Sequence, residues 1–265
     1  MMDVVNVVAL GVIEGLTEFL PISSTGHLLI AEHWLGERSE TFNVVIQAGA
    51  ILAVTLIYWR RLLDLMFGWR DPLNRDYALK LIVAFLITAA LGFLAKKLGV
   101  VLPESVTPVA WALILGGIWI LAVEAYAARK AESPHVGWPT AILVGVAQIV
   151  AGIFPGTSRS GASIFAAMLA GTTDRRAATE FSFLVGIPTM YAASGYELLK
   201  AFRGGGGDED WTALGIGFVV SLVTAFIAVK WLLGYIQTHR FTAFAVYRFI
   251  LGALLLAAVA LGWLG

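Results

Sequence analysis

Long apolar runs separated by short polar segments dominate the hydrophobic pattern of this 265-residue chain. Several runs reach the roughly 20 apolar residues that cross about 30 Å of hydrocarbon. The period-two alternation that a transmembrane barrel requires does not occur. The pattern therefore predicts an all-α polytopic integral membrane protein with about six full transmembrane helices, at 42–59, 77–98, 109–128, 178–199, 211–233 and 243–263.

Two further apolar helices are each broken by a proline. The first is interrupted at Pro21 and the second at Pro155; a turn rich in Ser, Thr and Gly and a short second helix follow each break. The second helix of the later copy, at about 164–171, is too short to cross a bilayer alone. Irregular backbone at membrane depth is tolerated only when it is buried in protein or lines a cavity. We therefore predict two re-entrant helical hairpins.

The two broken helices form a weak internal repeat. Three predicted spans lie between them, an odd number, so the hairpins are expected to enter from opposite faces and to meet near the midplane, as in an inverted-topology repeat. The chain is predicted to be a single membrane domain, 1–265, with pseudo-repeat halves of about 1–130 and 131–265. A shift of 134 residues superposes Gly11 on Gly145, Glu14 on Gln148, Pro21 on Pro155 and Ser24 on Ser158.

Composition agrees with this class and excludes several kinds of chemistry. Hydrophobic residues make up 59% of the chain and charged residues only 14%. With 18 basic and 18 acidic residues, the net charge is zero, which argues against a nucleic-acid partner. Cysteine is absent, so disulfides, thiolate metal ligands and cysteine nucleophiles are excluded.

The basic residues of the loops predict the orientation. If both hairpins return to their own side, nine of these residues lie on one side and five on the other. The positive-inside rule then puts the first side in the cytoplasm, with both termini and the first hairpin facing outward. The two sets are Arg60, Arg61, Arg70, Arg75, Arg129, Lys130, Arg175, Arg176 and Arg240 against Arg38, Lys96, Lys97, Lys200 and Arg203.

Glu14 and Glu18 are the first candidate site residues. A charge at membrane depth costs roughly 2.5–3.5 kcal/mol and normally faces a partner or a water-filled cavity. At a spacing of four, the two carboxylates share a helix face and repel each other unless a cation or a proton intervenes. Mg²⁺ or Ca²⁺, held by these carboxylates and by substrate phosphate oxygens, would resolve the repulsion. The alternative is that they cap a helix or pair with Arg or Lys at the interface.

Three consecutive hydroxyl residues follow the first break. Ser23, Ser24 and Thr25 occupy the position for capping the next helix, where free backbone N–H groups bind phosphate. His27 lies within helical reach of Ser24, which permits a nucleophile–base pair. The alternatives are a purely structural cap and a histidine that is merely hydrogen-bonded.

The second break carries one basic residue, Arg159, surrounded by Ser158, Ser160 and Ser163. A guanidinium group, hydroxyls and helix N–H groups together make a cradle for a phosphate or a developing oxyanion. Gln148, the repeat counterpart of the first glutamate, is expected to add a neutral hydrogen bond. An arginine that only closes the loop is the alternative.

Residues 14–27 (EGLTEFLPISSTGH) and 155–163 (PGTSRSGAS) together resemble the undecaprenyl-pyrophosphate phosphatase family, also called bacitracin-resistance proteins. The resemblance covers essentially the whole chain. It implies a multi-pass enzyme of the bacterial plasma (inner) membrane, with its site facing the periplasm or exterior. Its lipid substrate would be the C55 isoprenyl pyrophosphate, hydrolysed to the monophosphate with a divalent cation, Mg²⁺ or Ca²⁺. This activity recycles the lipid carrier of cell-wall synthesis.

Carried over by position, the resemblance assigns the family's acidic pair to Glu14 and Glu18, and its serine, histidine and arginine to Ser24, His27 and Arg159. The last flanking hydroxyl of the second motif is often Thr in the family and is Ser here. Ser24 or His27 would attack the terminal phosphorus or orient water to do so, and we favour Ser24 as the nucleophile with His27 as its base. A transporter or flippase for polyprenyl phosphate remains the rival interpretation, because inverted repeats with broken helices are a transporter plan. A homodimer is compatible with either.

Overall fold

The computed structural model describes residues 4–99, 105–203 and 209–264, apart from the side chain of Ala201. Parts of the segments between the predicted spans 77–98 and 109–128, and between 178–199 and 211–233, lie outside this description. The described residues form eleven helices and no strand, as an all-α protein requires. The helices are α1 Val4–Thr17, α2 Ser24–Leu35, α3 Glu40–Ile57, α4 Trp59–Phe67, α5 Pro72–Lys97, α6 Val106–Ala127, α7 Trp138–Ile153, α8 Arg159–Leu169, α9 Arg175–Arg203, α10 Trp211–Tyr235 and α11 Thr242–Ala260.

Five of these helices, α3, α5, α6, α10 and α11, are long and apolar enough to cross a membrane. Only 22–39% of their most apolar stretches is buried inside the protein, so the rest of each apolar surface faces outward, as lipid contact requires. These features support the predicted polytopic class. The remaining predicted span lies in α9, whose 29 residues extend for about 43 Å. This helix carries buried hydroxyls, among them Ser182 and Ser194, and is not one of the five.

The start of α5 differs from the prediction. The predicted span begins at Tyr77, but the helix begins at Pro72, five residues earlier. The Asp71 carboxylate accepts a hydrogen bond from Leu73 N at 2.9 Å. Pro72 occupies the first turn of the helix, where its missing N–H costs nothing. The cap and the proline together therefore extend the helix beyond its apolar part.

Two pairs of short helices, α1–α2 and α7–α8, correspond to the predicted broken helices. Their lengths are 14 and 12 residues in the first pair and 16 and 11 in the second, so no member alone spans the hydrocarbon. Residues 18–23, called turn 1, join the first pair, and residues 154–158, called turn 2, join the second. Glu18 was expected on the helix, but α1 ends one residue before it.

The two halves of the chain make matching contacts. A Cβ on Gly11 of α1 would lie 2.9 Å from a carbonyl oxygen of α10, and one on Gly145 of α7 would lie 2.7 Å from a carbonyl oxygen of α5. Thr224 donates to Gly11 O at 3.4 Å, and Thr88 donates to Gly145 O at 2.9 Å. The first arm of each broken pair therefore packs against a long helix of the other half in the same way.

A buried ion pair ties three other helices together near their ends. The Glu124 carboxylate, on α6, is only 3% exposed and accepts two hydrogen bonds from Arg175, at 2.9 and 2.5 Å. It also accepts one from Phe241 N, at 2.9 Å. This bidentate pair joins α6 to the beginnings of α9 and α11.

Candidate active site

Each turn ends in a serine with an unusual backbone conformation. Ser23 has a φ of 74° and Ser158 a φ of 71°, and they are the only non-glycine residues with positive φ in the described parts of the chain. Each caps the following helix: the Ser23 hydroxyl accepts from Gly26 N at 3.3 Å, and the Ser158 hydroxyl accepts from Gly161 N at 3.2 Å. Such a conformation costs about 1–3 kcal/mol and often occurs at functional sites.

These caps correct the predicted register of the repeat within the turns. Ser158 matches Ser23, 135 positions earlier, rather than Ser24. The shift of 134 residues holds for Gly11 and Gly145 on the first arms, so the second copy has one more residue than the first between this glycine and the capping serine. As a result, Ser24 and Arg159 occupy equivalent places, each as the first residue of its helix.

Ser24 and Arg159 meet on one carboxylate. The Ser24 hydroxyl donates to Oε2 of Glu18, and Arg159 Nη2 donates to Oε1 of Glu18 at 3.0 Å. The Glu18 side chain is almost completely buried, whereas the Arg159 side chain is 27% exposed. The structure thus brings together one residue from each broken pair, as the sequence predicted.

A polar pocket of about 200 Å³ opens beside this cluster, between the beginnings of α2 and α8. The first residues of both helices line it, and a helix N-terminus, with its unsatisfied backbone N–H groups and positive dipole end, binds phosphate. Six predicted site residues line it, and they remain candidates for contact with a substrate. The lining consists of Glu18, Ser23, Ser24, Thr25, Ala151, Gly152, Pro155, Gly156, Ser158 and Arg159.

Glu14 and Gln148, at matching positions of α1 and α7, are buried without hydrogen-bond partners. Glu14 is 1% exposed and Gln148 is 2% exposed. Neither oxygen of Glu14 and neither polar atom of the Gln148 amide has a partner among the described residues. Leaving such groups unpaired is costly, and a carboxylate costs more than an amide.

His27 does not bind Ser24, contrary to the predicted nucleophile–base pair. Its Nδ1 lies 2.6 Å from Ser23 O, and its Nε2 lies 2.6 Å from the Tyr247 hydroxyl. The imidazole also stacks on the Tyr247 ring at 5.7 Å. Both ring nitrogens are therefore engaged, and the Ser24 proton is directed at Glu18 instead.

Ser160 and Ser163 were predicted to bind phosphate, but their hydroxyls donate hydrogen bonds to backbone carbonyl oxygens. Ser160 donates to Leu20 O at 3.0 Å, which links α8 to turn 1. Ser163 donates to Arg159 O at 2.6 Å, within its own helix. With Gln148, they border a space of about 10 Å³, which holds at most about one water molecule. Direct phosphate contact by either serine does not fit this geometry.

Arg248, in the middle of α11, was not anticipated as a site residue. It is 1% exposed, and all five of its N–H donors bind backbone carbonyls. A charged residue five positions inside a predicted span is the signal that would have found it. The five acceptors, at 2.9–3.2 Å, are the carbonyl oxygens of Pro21, Ala112, Leu113, Gly156 and Thr157.

An apolar groove of about 650 Å³ runs between α6, α7 and α8. Its wall is mainly aliphatic and aromatic, with Trp111, Trp119 and Phe165 among the larger side chains. Phe154 and Thr157 of turn 2 contribute to this groove, while the intervening and following residues of the same turn line the polar pocket. Turn 2 therefore separates a polar cavity from an apolar one.

Comparisons with known proteins agree with the motifs. The family model described as bacitracin resistance protein BacA matches residues 7–254. A protein of Rhizobium johnstonii named undecaprenyl-diphosphatase is 72% identical over 262 residues, 98% of this chain and 99% of the relative. One of the same name from Xanthomonas euvesicatoria is 58% identical over 257 residues, 97% of each chain. Since the match includes both turns and nearly all helices, the chain belongs to the bacitracin resistance protein BacA family.

Proposed function

We propose that the protein is an undecaprenyl-diphosphatase of the bacterial inner membrane, which hydrolyses the C55 isoprenyl pyrophosphate to the monophosphate and phosphate. The observation that carries the proposal is the meeting of Ser24 and Arg159 on Glu18, at a pocket formed by two helix N-termini. At this pocket one phosphate can contact the Ser24 hydroxyl as nucleophile, the Arg159 guanidinium as fixed cation and the backbone N–H groups of the helix N-termini. The names of the relatives support the choice of substrate.

A divalent cation fits the acidic residues of this site. Glu14 is a buried carboxylate with two unpartnered oxygens, and a hard cation such as Mg²⁺ or Ca²⁺ prefers such ligands. The described residues contain no group of three or more His, Cys, Asp or Glu placed for metal binding. We propose that Glu14 and Glu18 would hold the ion. When bound, the ion supplies positive charge that neutralises the pyrophosphate.

The contacts of Ser24 suggest how the reaction proceeds. We propose that its Oγ attacks the terminal phosphorus and passes its proton to Glu18, with which it already shares a hydrogen bond. The bridging P–O bond breaks, and the lipid monophosphate leaves with its electron pair. Arg159 moves from Glu18 to the phosphoryl oxygens and balances their charge. Water then hydrolyses the phosphoserine, which releases phosphate, and the proton returns to Ser24.

We propose that α1–α2 and α7–α8 are re-entrant hairpins of an inverted-topology repeat within one membrane domain. Their short helices and the paired contacts of Gly11 and Gly145 with helices of the opposite half support this arrangement. Together with the loop charges, this arrangement supports our proposal that the pocket faces the periplasm.

We propose that the apolar groove holds part of the isoprenoid chain. Its wall is apolar and it borders the turn whose other residues line the phosphate pocket. In the proposed orientation, α8 runs inward from the pocket, which is also the direction in which the tail of an outer-leaflet lipid extends. Burial of apolar surface in the groove would contribute to substrate affinity.

Transport of the lipid monophosphate is a second candidate function. A polar cavity of about 650 Å³ lies near the beginnings of α5 and α9, away from the phosphate pocket, and includes Arg61, Lys80 and Arg176. Two polar cavities on different sides of one repeat would suit alternating access. Movement of labelled polyprenyl phosphate across protein-containing vesicles, measured without phosphate release, would support transport; no movement would leave only the phosphatase.

The experiment that tests the phosphatase proposal is phosphate release from undecaprenyl pyrophosphate by the purified protein. Loss of the Arg159 guanidinium in Arg159→Ala should lower kcat by about 100-fold or more, because a charged donor is removed from the reacting group. The matched control is Arg70→Ala, which removes an exposed arginine outside the pocket. Normal turnover by the Arg159 variant would refute the assignment of the site.

A further inference from the structure

Arg248 carries a buried charge that the proposed reaction does not use. Among the described residues no carboxylate forms an ion pair with it. Its charge is balanced only by carbonyl dipoles, one for each of its five donors. An ion at membrane depth is costly, so a residue that keeps its charge there normally has a specific role.

Three of the five carbonyls that Arg248 binds belong to the two turns, and the other two belong to α6. Nη1 donates to Pro21 O of turn 1 at 3.2 Å, and Nη2 donates to Gly156 O of turn 2 at 3.0 Å. Pro21 and Gly156 are equivalent, since each lies two residues before a capping serine. Nη1 also bridges the turns directly, because it binds Thr157 O at 3.1 Å as well. The Arg248 side chain therefore binds the equivalent carbonyl oxygen in turn 1 and in turn 2.

We propose that Arg248 is a positioning residue of the phosphatase reaction. By fixing Pro21, Gly156 and Thr157, it sets the distance between the turns and thus the meeting of Ser24 and Arg159. Because a peptide unit is planar and trans, a carbonyl held by Arg248 also fixes the direction of the following N–H. This inference rests on the proposed function for its kinetic consequence, but its structural consequence can be measured separately.

Only an arginine fits this role. Lysine keeps the charge but has three donors on a single nitrogen, whereas the planar guanidinium presents five donors in a fixed fork. The site is also tightly packed: a Cβ added at Gly116 would lie 2.0 Å from Nη2 of Arg248. Gly116→Ala is therefore a second way to displace the guanidinium without removing it.

Arg175 offers a matched control for a purely structural arginine. Like Arg248, it joins several helices by hydrogen bonds, but it does so through Glu124, away from the pocket. Substitution by lysine at either position replaces the planar guanidinium, with its several N–H donors, by a single ammonium group. Only the change at 248 should alter the geometry of the turns.

The kinetic test measures kcat and KM for undecaprenyl pyrophosphate with Arg248→Lys, Gly116→Ala and Arg175→Lys, each at a temperature where it is folded. A displacement of about 1 Å at a reacting group can cost about 100-fold, so we expect kcat to fall by about that factor in the first two variants. Gly116 and Arg248 also line the apolar groove, so kcat rather than KM is the readout that decides. Arg175→Lys should lower the melting temperature but keep kcat.

A distance measurement provides the second readout. Since the chain has no cysteine, Thr25→Cys with Phe154→Cys would place spin labels only at the start of α2 and on turn 2. We expect one narrow distance distribution in the parent and in Arg175→Lys, and a broad or shifted one in the two variants that disturb Arg248. An unchanged distribution with normal kcat in both variants would overturn the proposal. If the parent shows no hydrolysis, the phosphatase proposal fails, and the distances still decide the role of Arg248.

Discussion

At the scale of single residues, Glu18 links the two turns because each of its oxygens has a different partner. Ser24 and Arg159 both hold this carboxylate, and a phosphate entering the pocket would compete with it for Arg159. The acid, hydroxyl and guanidinium could be recognised from the sequence because charges are rare in apolar segments. The hydrogen-bond partner of Ser24 could not be predicted from the sequence, because His27 and Glu18 are both within reach of it along the chain.

The first prediction concerns the nucleophile. If Ser24 is phosphorylated during turnover, brief mixing with terminally labelled pyrophosphate substrate should leave label on the protein, and Ser24→Ala should leave none. We expect kcat to fall by more than about 1,000-fold in this variant, because a covalent nucleophile is lost. Thr107→Ala, outside the phosphate pocket, serves as the hydroxyl control. Substantial turnover by Ser24→Ala would instead indicate direct attack by water.

The second prediction is that His27 takes no part in proton transfer. Tyr247→Phe removes the hydroxyl bound to His27 Nε2, and one hydrogen bond contributes only about 0.5–1.5 kcal/mol. We therefore expect a small drop in melting temperature and a kcat within about threefold of the parent. A loss of about 100-fold, with a changed pH profile, would restore His27 as a base.

At the scale of elements, the close contacts of α1 with α10 and of α7 with α5 set the position of both turns. Hydropathy was sufficient to predict the long helices and the two broken ones. It could not predict that α5 begins at Pro72, or that the second copy has one more residue than the first between the packing glycine and the capping serine. Those features depend on caps and backbone contacts, which apolar periodicity does not report.

The third prediction tests these contacts with glycine substitutions. A methyl group at Gly11 or Gly145 would press against a carbonyl of the neighbouring helix, and overpacking of this kind typically costs about 1–3 kcal/mol. Gly11→Ala and Gly145→Ala should therefore lower the melting temperature in detergent. Gly215→Ala, which faces open space on α10, should leave it unchanged or raise it. Equal behaviour of all three would argue against tight packing of the first arms.

At the scale of the whole molecule, two distant parts of the chain form one site. The odd number of predicted spans between the hairpins indicated their convergence, and the family motifs indicated its chemistry. Arg248 was beyond such reasoning, because it recognises backbone carbonyls from three separate segments. The sequence around Arg248 does not indicate which segments of the chain pack against it.

The fourth prediction concerns the apolar groove. Leu143→Trp would fill the end of the groove away from the phosphate pocket, so we expect KM for the C55 substrate to rise by about tenfold, which corresponds to about 1.4 kcal/mol of lost binding. Hydrolysis of a C15 pyrophosphate should be little changed, because its chain reaches less of the groove. Val219→Trp, on the outward face of α10, is the control. Equal effects on both substrates would contradict the assignment of the groove.

The most direct test of the composite site is an experimental structure with a non-hydrolysable pyrophosphate analogue and Mg²⁺. We predict that one terminal phosphate contacts both the Ser24 hydroxyl and the Arg159 guanidinium, with Arg159 released from Glu18. Glu14 and Glu18 should lie on the metal. An anion that contacts only one of the two turns, or binds away from both, would contradict the account.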